Sequence, residues 1–105
     1  MNNIYNTESV PGNTPTVVNG ITIPKRAPYS LKGLIIWSDI DCDIEIKLNV
    51  DTIAGGSITI TNPVLFLDFN ASPFGLDSRD VLSVVATHTD GSAHTVKSTL
   101  LVEQL

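Results

Sequence analysis

Residues 42–50 (CDIEIKLNV) restrict this chain more than any other segment. Ile44, Ile46, Leu48 and Val50 alternate with Asp43, Glu45, Lys47 and Asn49. Successive side chains of a strand point to opposite faces, so this period of two predicts a half-buried strand with a wet outer face. A slip of one residue would carry four aliphatic side chains into water at about 1.5–3 kcal/mol each, which pins the register. Composition agrees: 32 of the 105 residues are Val, Ile or Thr and five are Ala. That balance favours sheet over helix. With 42% hydrophobic residues the chain can bury a core, and its length suits one small domain. Cys42 is the sole cysteine, so no disulfide can form within the chain and stability has to come from packing.

Short apolar runs separated by turn signals continue along the chain. Residues 21–23 read as a short strand closed by Pro24, with a loop at Pro28. Residues 31–38 (LKGLIIWS) are nearly continuous in their apolar character, which predicts a central strand or burial on both faces. Ala54-Gly55-Gly56 reads as a break before an alternating run at 57–61, and Asn62-Pro63 as a turn. In the strand predicted at 64–69, Val64, Phe66 and Asp68 lie opposite Leu65, Leu67 and Phe69. Residues 70–80 read as a loop with Phe74 and Leu76 tucked inward. Runs at 81–89 and 95–102 flank Asp90-Gly91, a hairpin signal because Gly accepts positive φ without a clash. Seven or so strands at spacings of about 8–12 residues predict an all-β antiparallel sandwich of jelly-roll or immunoglobulin-like topology over residues 21–105.

Residues 1–20 have a different texture, rich in Asn, Pro and Gly with Ile4, Tyr5, Val10, Val17 and Val18 scattered among them. No sustained period appears, so they are expected to form an extended N-terminal arm, able to reach at most about 65–70 Å. The scattered apolar residues predict that the arm lies on a partner, which makes Ile4, Tyr5, Val10, Val17, Val18 and the exposed-looking Tyr29 the candidate interface residues.

Charge and motif content argue against several function classes. The net charge is −5 with six basic residues, of which Lys25 and Arg26 alone are adjacent; nucleic-acid binding needs clustered cations. The apolar run at 34–37 is far too short to span a membrane, and the first residues have neither a basic nor an apolar leader segment. Asp39-Ile40-Asp41-Cys42-Asp43 resembles the start of a calcium loop, but Ile44 and Val50 stand where that loop needs Gly and Glu. Asp39 and Asp41 therefore read as turn residues and Asp43 as the start of a solvent face. His88 and His94 flank the Asp90-Gly91 turn without a third ligand in sequence, a weak metal pattern. Cys42 has no nearby base in sequence and no oxyanion segment, so it reads as a small buried side chain. No nucleophile motif or phosphate loop occurs. The expectation is a non-enzyme with no catalytic residue, metal or cofactor. Of the aromatics, Trp37, Phe66 and Phe69 are expected in the core and Tyr5 and Tyr29 outside, which speaks against a sugar-binding platform.

One resemblance adds to this reading. Residues 34–41 (LIIWSDID), 44–49 (IEIKLN), 53–56 (IAGG) and 72–84 (SPFGLDSRDVLSV), ending in Ala86-Thr87-His88, are similar to small β-sandwich structural proteins of tailed-phage virions. The likeness covers about residues 31–102 and departs from the pattern at Ser38 and Arg79, where Gly is expected before Asp. It implies a structural role on the virion, made in the host cytoplasm. The leading form is a capsid decoration (cement) protein that binds the major capsid protein lattice and stabilises the head. A tail, neck or head-fibre component and a carbohydrate or host-surface binding module are the alternatives. The expected partners are the major capsid protein or another virion protein and further copies of the chain in a homo-oligomer, a trimer being favoured, with no nucleic acid and no membrane.

Overall fold

The computed structural model describes residues 2–25 and 28–105; Met1 and Arg26 of the basic pair lie outside them. Among the described residues nine strands follow in chain order: β1 (Asn2–Val10), β2 (Thr16–Thr22), β3 (Tyr29–Ser38), β4 (Cys42–Leu48), β5 (Asp51–Ile58), β6 (Val64–Asp68), β7 (Phe74–Leu76), β8 (Val81–Thr87) and β9 (His94–Gln104). They form two antiparallel sheets packed face to face. One runs β1-β9-β3-β6, with β7 also paired to β3, and the other runs β2-β8-β4-β5. The all-β sandwich expected from the strand spacing is therefore the fold. Its order resolves the topology as a jelly roll: β1 pairs β9, β2 pairs β8, β3 pairs β6 and β4 pairs β5, a long hairpin folded over on itself. Its tip is the two-residue turn Asn49-Val50, where Asn49 sits at φ 57°, a left-handed conformation that Asn tolerates better than most side chains.

Alternation decides the core. Leu34 and Ile36 of β3 and Val96, Leu100 and Val102 of β9 face Ile44 and Ile46 of β4 and Leu82, Val84 and Ala86 of β8, all buried. β3 is central in its sheet, between β9 and β6, as its apolar run predicts. The acidic residues of β4 line the outside: Asp43 accepts a hydrogen bond from Ser57 Oγ and Glu45 one from Thr52 Oγ1, each at 3.1 Å. Leu76 is buried and Phe74 packs on the core against Phe69, edge to face at 5.1 Å, so the inward tuck expected within 70–80 is present and builds β7.

Four expectations are corrected. Residues 1–20 are not an arm leaving the domain. Residues 2–10 form an edge strand of one sheet and 16–22 an edge strand of the other, so the sandwich begins at β1 rather than at residue 21. Their local pattern is irregular because β1 turns Asn6 and Glu8 as well as Ile4 and Val10 inward and a register shift between Val17 and Asn19 interrupts β2; their pairing partners are remote, with Asn2 opposite Val102 and Thr16 opposite Ala86. The Asp90-Gly91 segment is not a hairpin but a connection between the sheets, since β8 and β9 belong to different ones. Ala54-Gly55-Gly56 continues β5 instead of breaking it; backbone pairing to Glu45 and Ile44 carries the strand through both glycines. Phe66 and Trp37 are not in the core, because they sit on the outward faces of β6 and β3.

Candidate functional site

Two features stand out. The first is the outer face of the β1-β9-β3-β6 sheet. Register places Tyr5, Thr99, Ile35 and Phe66 in one cross-strand row and Thr7, Lys97, Trp37 and Val64 in the next. At about 4.8 Å per strand the rows are about 14 Å wide. Tyr5 is 65% exposed and Phe66 56%, with Val64 and Ile35 also exposed. Lys97 Nζ lies 5.3 Å from the centre of the Trp37 ring, close enough for a cation–π contact. The face is apolar and aromatic, whereas the opposite sheet presents Asp43, Glu45 and Lys47 outward. A contiguous exposed apolar patch of this kind is the usual signature of a contact surface.

The expected interface residues fare unequally. Tyr5 belongs to this face. Val17 is also exposed, but on the outside of the other sheet, and Ile4 points inward, half-buried. Val10 and Val18 are wholly buried and Tyr29 is 8% exposed, so these three are core residues and not interface residues. They pair or pack within the sandwich once β1 and β2 join it. The residues that sequence reasoning missed are Ile35, Trp37, Val64 and Phe66. Their alternation with Leu34, Ile36, Leu65 and Leu67 was visible; which of two equally apolar faces turns inward was not.

The second feature lies at one end of the sandwich. His88, buried at the end of β8, is held by backbone: Nε2 is 2.7 Å from the Val10 carbonyl oxygen, and Nδ1 accepts the Asp90 N–H at 3.2 Å. Those partners place the ring hydrogen on Nε2. The His94 ring meets it edge to face at 5.1 Å. His94 Nδ1 is 3.0 Å from Asp39 Oδ1 and Nε2 is 2.6 Å from Asp90 Oδ2. The hydrogen bond to Asp90 raises the His94 pKa above its ordinary value, with Asp39 adding to it, and the same contact lowers that of Asp90. The two carboxylates approach opposite nitrogens of one ring, so they do not converge on a shared cation position. Among the described residues no group of three or more His, Cys, Asp or Glu side chains is arranged to hold a metal. Asp41 instead caps the Ile60 N–H at 2.9 Å, the turn role expected for it. Cys42 is buried, and burial pushes its thiol pKa up, so it is held in the unreactive protonated form.

No protein-family model and no curated protein matches the chain. Among solved structures, the insecticidal delta-endotoxin Cry8Ea1 from Bacillus thuringiensis is similar over 93% of this chain, with a TM-score of 0.52 and 16% identity. The chain spans about a fifth of that toxin, 20% of its length. At this identity the likeness is one of fold alone, and it agrees with the two-sheet architecture.

Proposed function

We propose that the protein is a non-enzymatic structural component of a tailed-phage virion, a capsid decoration protein that seats the outer face of its β1-β9-β3-β6 sheet on the major capsid protein. The observation that carries this reading is the exposed row of Tyr5, Ile35 and Phe66 beside Trp37 and Val64. The virion assignment itself comes from the resemblance of residues 31–102. The N-terminal segment that was expected to lie on a partner is part of the sandwich, so the sheet face takes over that contact. Many copies on one lattice gain avidity without individually tight contacts.

The test is capsid binding by the purified protein and its Tyr5→Ser, Phe66→Ser double variant, together with copy number from mass spectrometry of virions. Both residues are exposed, so the variant should fold. Hundreds of copies per particle, with capsid binding lost in the variant, support the decoration role. A dozen copies or fewer move the assignment to the neck, tail or head fibre. Absence from virions sinks it.

A second reading, a carbohydrate or host-surface binding module, is favoured by the same aromatics: Tyr5, Trp37 and Phe66 on one sheet face can stack on the apolar faces of sugars. Glycan-array binding abolished by Phe66→Ser would favour it over lattice docking. Tyr29, 8% exposed, is a core residue and offers no surface to such a ligand.

A further inference from the structure

We propose that His94 is a proton-operated latch: as an imidazolium it ties the β3–β4 turn to the β8–β9 connection, and loss of one proton releases the turn. The geometry sets the requirement. An ionised carboxylate only accepts hydrogen bonds, so a ring with a carboxylate on each nitrogen must carry hydrogen on both. Asp39 comes from residues 39–41, between β3 and β4, and Asp90 from residues 88–93, between β8 and β9; His94 opens β9. One cation therefore spans two connections that share no backbone pairing in either sheet.

The surroundings of His94 are set by three neighbouring elements. The β3–β4 turn presents Asp39, the β8–β9 connection presents Asp90, and the end of β8 presents the edge-on His88 ring. From β1 its pairing partner is Val10, which has no charge. The β8–β9 side is anchored independently of His94. Asn13 N–H donates to the His88 carbonyl oxygen at 2.7 Å, and the Asp90 carbonyl oxygen lies so close over Gly12 that a Cβ there would collide with it. The β3–β4 turn is held locally by a 3.3 Å bond from Ile40 N–H to Ser38 Oγ, by the 2.9 Å Asp41 cap on Ile60 and, at its start, by Ser38 N–H to the Pro63 carbonyl oxygen at 3.1 Å; none of these fixes the Asp39 side chain.

When pH rises, the imidazolium gives one proton to solvent and the neutral ring keeps one N–H. The 2.6 Å contact to Asp90 is the shorter of the two, so Nε2 retains the hydrogen and the bare Nδ1 lone pair faces Asp39 Oδ1. That contact becomes repulsive, and Asp39 swings into solvent with its turn. The latch is closed in acid and open in base. This device does not depend on what the sheet face binds.

The experiment is a pH titration of the full chain by NMR, reading the His94 ring nitrogens and the hydrogen exchange of the Ile40 and Ile60 amides, corrected for intrinsic exchange. The expected result is a His94 midpoint above the ordinary value of about 6.5, a ring that keeps Nε2–H above the midpoint, and loss of protection at Ile40 and Ile60 across it. The Asn13 amide should stay protected. Asp90→Asn and Asp39→Asn should each lower the midpoint, Asp90→Asn by more, and Asp39→Asn should remove the exchange step. A midpoint at or below the ordinary value, one that neither variant moves, or unchanged protection at Ile40 and Ile60 would overturn the latch.

Discussion

At the residue scale, buried polar side chains do the work of joining the sheets at the β1/β2 side. Asn19, 5% exposed, donates to the Ile4 carbonyl oxygen at 2.8 Å and to Ser98 Oγ at 3.1 Å, while its Oδ1 accepts the Gly20 N–H. It is the residue at which the β2 register shifts, so the bulge turns a polar side chain inward where an aliphatic one would otherwise fall. Asn19→Ala strands the Ile4 carbonyl and the Gly20 amide and should destabilise the fold by about 2–3 kcal/mol, read from the urea midpoint. His94 and Asp90 give a pH dependence with opposite signs on its two limbs. The His94 pKa is raised in the folded state, so its contribution is full below about pH 6.5 and is lost as pH climbs through the higher folded value. The Asp90 pKa is lowered, so its contribution is full above about pH 4 and is lost as pH falls through the folded value. Thermal midpoints measured across pH should be highest between about pH 4 and 6.5, and His94→Gln should flatten the alkaline decline. An unchanged alkaline slope in that variant would count against the assignment. None of this was legible in the sequence, where His94 and Asp39 stand 55 positions apart.

At the element scale, strand interiors were legible and strand partners were not. The alternation of 42–50 placed every β4 side chain on the correct face, whereas the 64–69 pattern separated the two faces of β6 without showing which one turns inward. The 42–50 alternation erred at its end: Asn49 and Val50 make the turn that starts the return strand. That turn is tied down by its own first residue. Asn49 N–H donates to the Val81 carbonyl oxygen at 2.7 Å, Asn49 Oδ1 accepts Val81 N–H at 3.0 Å, and Asn49 Nδ2 reaches Asp80 Oδ1 at 3.1 Å. Asn49→Ala keeps the backbone bond but loses both side-chain bonds and puts a Cβ residue without local support at φ 57°. The expected loss is about 2 kcal/mol in chemical denaturation. Asn49→Gly relieves the backbone conformation and should cost less; equal losses would mean that the side-chain bonds alone matter. At the other end, Gly12→Ala forces the β1–β2 connection away from Asp90 and should cost about 1–3 kcal/mol.

For the whole molecule, the rolled hairpin makes the two chain termini structural partners. β1 pairs with His94–Val102 of β9, and β2 pairs with β8. Removing residues 1–20 therefore strips an edge strand and most of a second, and takes Val10 and Val18 out of the core. Each buried Val contributes about 1.5–3 kcal/mol against a typical total stability of about 5–15 kcal/mol, and the backbone bonds of two strands go with them. The truncated chain should show no cooperative thermal transition and should aggregate in gel filtration; a sharp transition would show that β3 to β9 suffice. The same topology divides the surface. One sheet shows the solvent Tyr5, Ile35, Val64 and Phe66, while the other shows Asp43 and Glu45 beside Val17, so the two outer faces can be mutated independently of each other.

Side-chain periodicity and residue choice are local properties of the chain. They were sufficient to predict an all-strand sandwich, the buried side of β4, the place of Asp41 in a turn and the burial of Cys42. Pairing is not local. Whether residues 2–10 hang free or complete a sheet depends on β9, up to 100 positions away (Asn2 opposite Val102), and whether Phe66 is core or surface depends on which side of β6 the opposing sheet packs. Two faces of similar hydrophobicity are indistinguishable until a second layer covers one of them, and a histidine has no particular chemistry until folding sets a carboxylate against each of its nitrogens. Those decisions belong to the closed sandwich, because only there do residues remote in the chain compete for the same buried space.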